Sequence, residues 1–136
     1  MKTNDDIETY LLQAGLQFST PEEGMWIVHD ETEHPENLVI YHSPPVTTFR
    51  IKLMEVPDGE TRYGLYEKML RMNAEEMVSG AYGIEGENIV LVDTLQSENL
   101  DFNEFQASID GLSMAVSMHH SELSPFRNKS ENTTDA

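Results

Sequence analysis

Five histidines are the first residues in this chain that could do chemistry, because imidazole nitrogens bind zinc. His29 and His34 flank an acidic stretch, His42 ends an apolar run, and His119 and His120 are adjacent. Adjacent residues on a helix point about 100° apart, so the last two cannot readily hold one ion together. No spacing typical of zinc sites, such as HExxH, is present. We therefore expect no metal site and interpret His119 as a packed histidine.

Carboxylates are plentiful, and a pair of them could serve acid–base catalysis. Such a pair needs a cleft that perturbs its pKa values, and nothing in the pattern marks one. The three glycines of GAYGIEG (80–86) have the wrong spacing for a dinucleotide-binding loop, and no helix follows them. The absence of cysteine excludes thiol chemistry and disulfides. We expect no catalytic residue and no cofactor, although a small enzyme that uses its acids or histidines stays an alternative.

The net charge of −17 narrows the choice of partners. It would repel nucleic-acid phosphates and anionic membrane surfaces, so we expect neither as a partner. The acids either provide solubility and internal ion pairs or keep an aggregation-prone partner protein soluble. The first ten residues lack the apolar segment of a secretory signal, and no run reaches the roughly 18 apolar residues of a membrane span. These features predict a cytoplasmic protein.

Methionine is over-used, with eight in 136 residues. Met69, Met72, Met77, Met114 and Met118 cluster in the second half of the chain. Methionine side chains repack at low cost, so they fill irregular cores and also line adaptable binding surfaces. For Met114 and Met118, which lie off the main apolar seam of their helix, the pattern leaves core packing and partner binding equally open.

Three apolar runs predict strands at 24–30, 37–42 and 46–56. The third alternates most clearly, with Phe49, Ile51 and Leu53 on one face, as in half-buried antiparallel strands. Pro44 and Pro45 separate the second and third runs, since proline cannot sit inside a central ladder. The polar segment STPEEG, which follows Phe18, is predicted to be a loop.

Helix signals bracket these strands. Thr3 or Asn4 can cap a first helix that Gly15 ends, and a second helix is predicted over 62–72, with Asn73 as its terminator. A third helix is capped by Asp101 or Asn99. Its seam repeats with alternating spacings of three and four. The seam consists of Phe102, Phe105, Ile109, Leu112, Val116, His119 and Leu123.

Between the last two helices, the runs 77–84 and 88–95 predict a hairpin. Gly80 and Gly83 weaken its first strand and indicate a bulge or a close approach by another backbone. The element order α-β-β-β-α-β-β-α predicts an α+β fold with an antiparallel sheet of about five strands. We expect one domain over 1–123 and a disordered polar tail over 124–136.

The segments LYEKMLRMN (65–73), GAYGIEG (80–86) and NIVLVDTL (88–95), followed by the helix at Phe102, resemble the type III secretion chaperones of the Tir-chaperone type. They are equally similar to the YbjN-like group, and the resemblance covers residues 4–123. It implies the shared fold of that family, a homodimer and no catalysis. It also implies that the first helix and the sheet hold an extended segment of a client protein. Pro44, Pro45 and the acidic loop 30–37 depart from the pattern at the edge where clients bind.

Two sets of residues follow from the resemblance. The second helix and the next strand would form a two-fold dimer interface, which requires a self-complementary patch. Its candidate residues are Tyr63, Tyr66, Met69, Leu70, Val78, Gly80 and Tyr82. The candidate partner-binding residues are Met25, Ile27, Val39, Tyr41, Met54 and Val56, with Met114 and Met118.

The leading hypothesis is therefore a small acidic chaperone that binds a client protein without an enzymatic step. The first alternative is a YbjN-like regulatory or stress-linked protein that uses the same fold for a different contact. A second alternative is a structural subunit of a larger complex that binds through the helix face 107–118.

Overall fold

A computed structural model describes residues 2–29, 38–77 and 79–127. Six strands form one antiparallel sheet in the order β1-β2-β3-β4-β6-β5. The strands are β1 (Gln17–Glu22), β2 (Met25–His29), β3 (Leu38–Ser43), β4 (Val46–Glu55), β5 (Ala81–Glu85) and β6 (Asn88–Gln96). The helices are α1 (Asn4–Gln13), α2 (Thr61–Glu75) and α3 (Phe102–Leu123), followed by a 3₁₀ turn at Ser124–Phe126. The predicted α+β fold class is confirmed.

Capping residues set the ends of α1 and α3. The Thr3 hydroxyl accepts a hydrogen bond from the Asp6 backbone N–H, and the Asp6 carboxylate accepts one from Thr3 N–H at 2.8 Å. Asp101 and Glu104 make the same reciprocal pair at the start of α3. Gly15 follows α1 at a φ of 73°, a left-handed conformation that glycine adopts without strain. The predicted caps are confirmed.

All three helices cover one face of the sheet. Trp26, Ile40 and Phe49 form a row across β2, β3 and β4 and are at most 1% exposed. The ring of Phe49 meets that of Phe105 on α3 edge-on, with centroids 5.4 Å apart. The Trp26 indole donates a hydrogen bond to Glu8 on α1. This covered face therefore holds the core, as the alternation in 46–56 predicted.

The prediction of a loop after Phe18 was wrong, and the sheet has six strands instead of about five. β1 pairs antiparallel with β2 through Gln17, Phe18 and Ser19. Of its residues only Phe18 is half-buried, and Pro21 lies within the strand. An edge strand that is exposed on nearly every side chain carries no alternation, so its pattern resembles that of a loop.

A β-bulge in β4 changes the position of Met54. Lys52 pairs with Val90 and Met54 pairs with Ile89, so Leu53 is the extra residue. Alternation predicts that Met54 points away from Leu53, yet both are buried, at 3% and 8% exposure. The bulge therefore turns Met54 into the core, away from the surface that the sequence assigned to it.

Asn73 does not terminate the second helix, which continues to Glu75. Its side-chain amide instead donates to Tyr82 O at 3.1 Å and accepts from Tyr82 N–H at 2.8 Å. The Asn73 side chain thus makes the two hydrogen bonds to Tyr82 that a further strand would make at the edge of the sheet, and it docks α2 there.

Gly80 precedes β5 at a φ of 78°. A Cβ at this position would lie 2.9 Å from both Val92 O and Leu112 Cδ2, so the predicted close backbone approach is confirmed. At the other end of the chain, Phe126 packs against the core and lies 3.4 Å from where a Cβ on Gly64 would stand. Packing therefore reaches past the predicted boundary at 123, and residues 128–136 lie outside the described part.

Candidate partner-binding surfaces

The face of the sheet opposite the helices carries four of the predicted partner-binding residues. Met25 pairs with Tyr41 and Ile27 pairs with Val39 across β2 and β3. All four are half-buried, and each alternates with a fully buried neighbour on the covered face. They form a contiguous patch of apolar side chains, called here the open-face patch. The family resemblance supplied these four candidates, and they share one face because the β2–β3 pairing is regular.

Two cations border this patch. Arg50 is the register partner of Val39, and its guanidinium lies 5.4 Å from the centre of the Tyr41 ring. It also forms an ion pair with Glu85 at 3.1 Å. A shallow groove of about 360 Å³ runs between these groups and is lined by Val39, Tyr41, Arg50, Lys52, Glu85, Asn88 and Val90.

The groove combines an apolar floor with positive charge in a chain whose net charge is −17. Apolar burial would provide most of the binding free energy, and Arg50 and Lys52 would favour acidic groups on the partner. Neither cation was among the candidate residues, although both stand on the polar side of the alternation in β4.

The residues of the predicted dimer interface fall into an exposed group and a buried group. Tyr63 and Leu70 on α2 are exposed, at 58% and 69%, and the ring of Tyr63 lies 6.3 Å from that of half-buried Tyr66. Met69 and Tyr82 are at most 5% exposed, so they lie behind this surface and support it from the core. Gly80 is only half-exposed and is enclosed by Val92 and Leu112, while Val78 lies outside the described residues.

Ile84 on β5 is exposed at 50% and was not predicted. The hydrogen bond of Asn73 to Tyr82, and the groove that Tyr66 lines together with Gly86, indicate that α2 runs antiparallel to β5. Ile84 therefore lies beside the middle of α2, near the level of Leu70. Tyr63, Tyr66, Leu70 and Ile84 are called here the α2–β5 surface.

The remaining candidates lie elsewhere. Met114 and Met118 are 59% and 58% exposed on α3, so they do not belong to the core. Val56 is half-buried and lines a groove of about 400 Å³. The other residues of that groove are Glu55, Pro57, Asp58, Arg62, Tyr66, Gly86 and Glu87. The predicted residues thus form two separate groups, the open-face patch and the residues of the α2–β5 surface. Met54, Met114 and Met118 belong to neither group.

A polar cluster lies where the end of α2 meets α3. The buried His119 shares a hydrogen bond through Nδ1 with the hydroxyl of Tyr82, as its assignment as a packed histidine predicted. Burial, and then the negative charges of Glu76 and Glu122, raise the pKa of Tyr82 above its ordinary value. The phenol therefore stays neutral at physiological pH.

Within the described ranges, no helix is both long and apolar enough to cross a bilayer. A comparison with the curated proteins found no match to this chain.

Solved structures with the same fold include a chain of the heterodimeric ExoU–SpcU complex from the type III secretion system of Pseudomonas aeruginosa. It is 20% identical, with a TM-score of 0.68 over 90% of this chain and 98% of that chain. YbjN from E. coli, a candidate transcription regulator, is 12% identical, with a TM-score of 0.64 over 87% and 91%. A chain of the HopA1–SchA chaperone–effector complex is 10% identical, with a TM-score of 0.60 over 81% and 86%.

These likenesses, each at or below 20% identity, establish the fold alone. The sequence itself matches the family model CesT_Tir_1 over residues 1–129, which is nearly the whole chain. The chain therefore belongs to the CesT_Tir_1 family of type III secretion chaperones.

Proposed function

We propose that this protein is a non-enzymatic cytoplasmic chaperone that holds an extended segment of a client protein on the open face of its sheet. The observation that carries the proposal is the open-face patch, where four apolar side chains lie together and no described helix covers them. Family membership supports it, and the HopA1–SchA complex joins a chaperone of this fold to an effector.

An extended client fits this face for a geometric reason. In a strand, alternate side chains point to the same side and repeat about every 6.5–7 Å, the same spacing as that of Met25 and Ile27 on β2. The client's apolar side chains would bury against the patch, and its acidic groups would meet Arg50 and Lys52. β1 provides a second mode, because it is the edge strand next to β2 and could accept an added client strand.

The proposed assembly is a homodimer through the α2–β5 surface. A two-fold contact would bury the exposed side chains of Tyr63, Leu70 and Ile84 against the same residues of a second copy. This arrangement leaves the open face of each copy accessible to a client, because that face is opposite the helices.

The experiment that tests client binding is co-expression with each protein encoded beside this gene, followed by co-purification. Ile27→Asp places a charge in the open-face patch, while Met114→Asp places the same charge on the exposed face of α3. We expect a stable complex that wild type and Met114→Asp both form, and that Ile27→Asp weakens at least about tenfold, since a buried unpaired charge is costly. Circular dichroism would verify that both variants fold.

The reverse result, loss of the complex in Met114→Asp alone, would contradict an open-face site. It would favour the structural-subunit alternative, in which the 107–118 face of α3 binds.

The alternative function is that of a YbjN-like regulatory or stress-linked protein. The observation that favours it is the likeness of the fold to YbjN, at a TM-score of 0.64. A genome without any type III secretion apparatus, together with no complex between the chain and its encoded neighbours, would favour that alternative.

A further inference from the structure

His119 has one ring nitrogen without a partner in the described part of the chain. Its side chain is 2% exposed, and Nδ1 is used by the Tyr82 hydroxyl. Nε2 is fully buried and makes no hydrogen bond. The carboxylate of Glu76 is 3.9 Å away, which is beyond hydrogen-bonding distance. A buried polar atom left this way costs free energy, so its environment needs an explanation.

Two carboxylates lie close to His119. Glu122 follows His119 by three residues on α3, so both side chains lie on one face of the helix. Glu76 caps the C-terminus of α2. One ligand atom from each of the three residues lies within 4.8 Å of the others. The expectation of no metal site concerned spacings among the histidines, and it did not include acids that folding brings to His119.

The geometry of the cluster suits a cation. The Tyr82 hydroxyl is the partner of Nδ1, so Nε2 is the ring nitrogen left to face the carboxylate of Glu76, with Glu122 one helical turn further along α3. A cation between these groups would give the buried Nε2 the partner that it lacks. An oxygen partner on Nδ1 is also the feature that fixes the ring orientation and tautomer of metal-binding histidines.

We propose that Glu76, His119 and Glu122 bind a divalent transition-metal cation of the Zn²⁺ class. One imidazole and two carboxylates are ligands that zinc accepts at about 2.0–2.2 Å, with a fourth position left for water. The two carboxylates must move inward to reach those distances, and their side chains are free enough to do so, at 44% and 39% exposure. The same exposure gives the ion a path from solvent.

Lys68 is the cation that already contacts this cluster, 3.2 Å from one oxygen of Glu122. A carboxylate has two oxygens, so Glu122 can keep Lys68 on one and offer the other to the metal. The bound ion would connect the end of α2 to α3. By mass action it would stabilise the junction that supports the α2–β5 surface.

The test is Zn²⁺ titration of chelator-treated protein by calorimetry, with ring-nitrogen NMR of His119. Glu76→Gln and Glu122→Gln remove one ligand charge each from half-exposed positions, so both variants should fold. Glu75→Gln removes the same charge from the adjacent exposed residue of α2 and is the matched control. We expect one site per chain, a shift at His119 Nε2, affinity at least about tenfold lower in each cluster variant, and no change in Glu75→Gln.

Any of three results would overturn the proposal. Equal weakening in Glu75→Gln would mean that zinc associates with the acidic surface in general. Unchanged affinity in Glu76→Gln and Glu122→Gln, or an unchanged His119 Nε2 resonance on zinc addition, would mean that the cluster does not bind the ion.

Discussion

Helices α2 and α3 pack on the same face of the sheet, yet they differ in how many residues they bury and in which contacts hold them there. α3 has eight buried residues along its 22, and a reciprocal capping box at its start. α2 has three buried residues along its 15, and no side-chain cap. It is held in addition by polar contacts, the paired hydrogen bonds of Asn73 to β5 and the ion pair of Lys68 with Glu122.

The difference separates what fixes the fold from what is available to a partner. Apolar burial dominates the free energy of folding, so the seam of α3 specifies how the helices sit on the sheet. α2 instead keeps large apolar side chains, Tyr63 and Leu70, at the edge of the molecule. α3 also exposes Met114 and Met118, but on the side opposite its seam. The comparison therefore predicts large stability effects on α3 and assembly effects on α2.

The largest expected effect is that of Phe105→Ala in the seam of α3. Phe105 is fully buried, and its ring lies 5.5 Å from that of Tyr10 and 5.4 Å from that of Phe49, so it joins α1, α3 and the sheet. The substitution should lower the free energy of unfolding by about 3–5 kcal/mol, as measured by urea denaturation at one protein concentration.

Phe102→Ala is the matched control for that prediction. Phe102 stands one turn earlier on the same helix and is half-buried, and its ring lies 6.0 Å from that of Tyr10. Its loss should cost clearly less. Equal losses in the two variants would contradict the assignment of the seam as the main determinant of the fold.

The next effect concerns the polar docking of α2. Asn73→Ala removes both hydrogen bonds to Tyr82, so the part-buried backbone N–H and C=O of Tyr82 lose these partners. The substitution should lower the free energy of unfolding by about 1–3 kcal/mol. Asn103→Ala on the exposed side of α3 is the control, because it makes the same side-chain change on a helix without the docking contact. If Asn103→Ala destabilises as much in the same denaturation series, the docking role is refuted.

The same contrast explains which features the sequence could predict. Asp101 and the seam of α3 are local signals, since a cap and an apolar period are set by neighbouring residues. The contacts of Asn73 with Tyr82 and of Glu76 with His119 join residues that are separated along the chain, so no local pattern shows them. Asn73 therefore suggested a helix end, although its amide bonds Tyr82 on β5.

In the sheet, too, regular local patterns were predictable and irregular or exposed segments were not. The family resemblance named Met25, Ile27, Val39 and Tyr41, and the regular alternation of β2 and β3 puts them on one face. Met54 was misplaced because the bulge that inverts the alternation leaves no mark in the composition of β4. β1 was missed because an edge strand buries too little to show a period. On α2, helical spacing puts Leu65, Met69 and Met72 on one face, and these are its buried residues. The exposure of the adjacent Leu70 follows from the same period.

The smallest effect on stability, and the most direct test of the difference between the helices, is that of Leu70→Glu. Leu70 is 69% exposed, so a charge there should change the free energy of unfolding by no more than about 0.5 kcal/mol. Light scattering after size exclusion should nevertheless show a dimer for wild type and a folded monomer for the variant, because the two-fold contact would oppose two carboxylates. The control is Leu12→Glu on α1, because Leu12 is 68% exposed and the substitution is the same. This variant should remain dimeric. A wild-type monomer, or a dimer that survives Leu70→Glu, would remove α2 from the interface and leave its exposed side chains without a role in self-association.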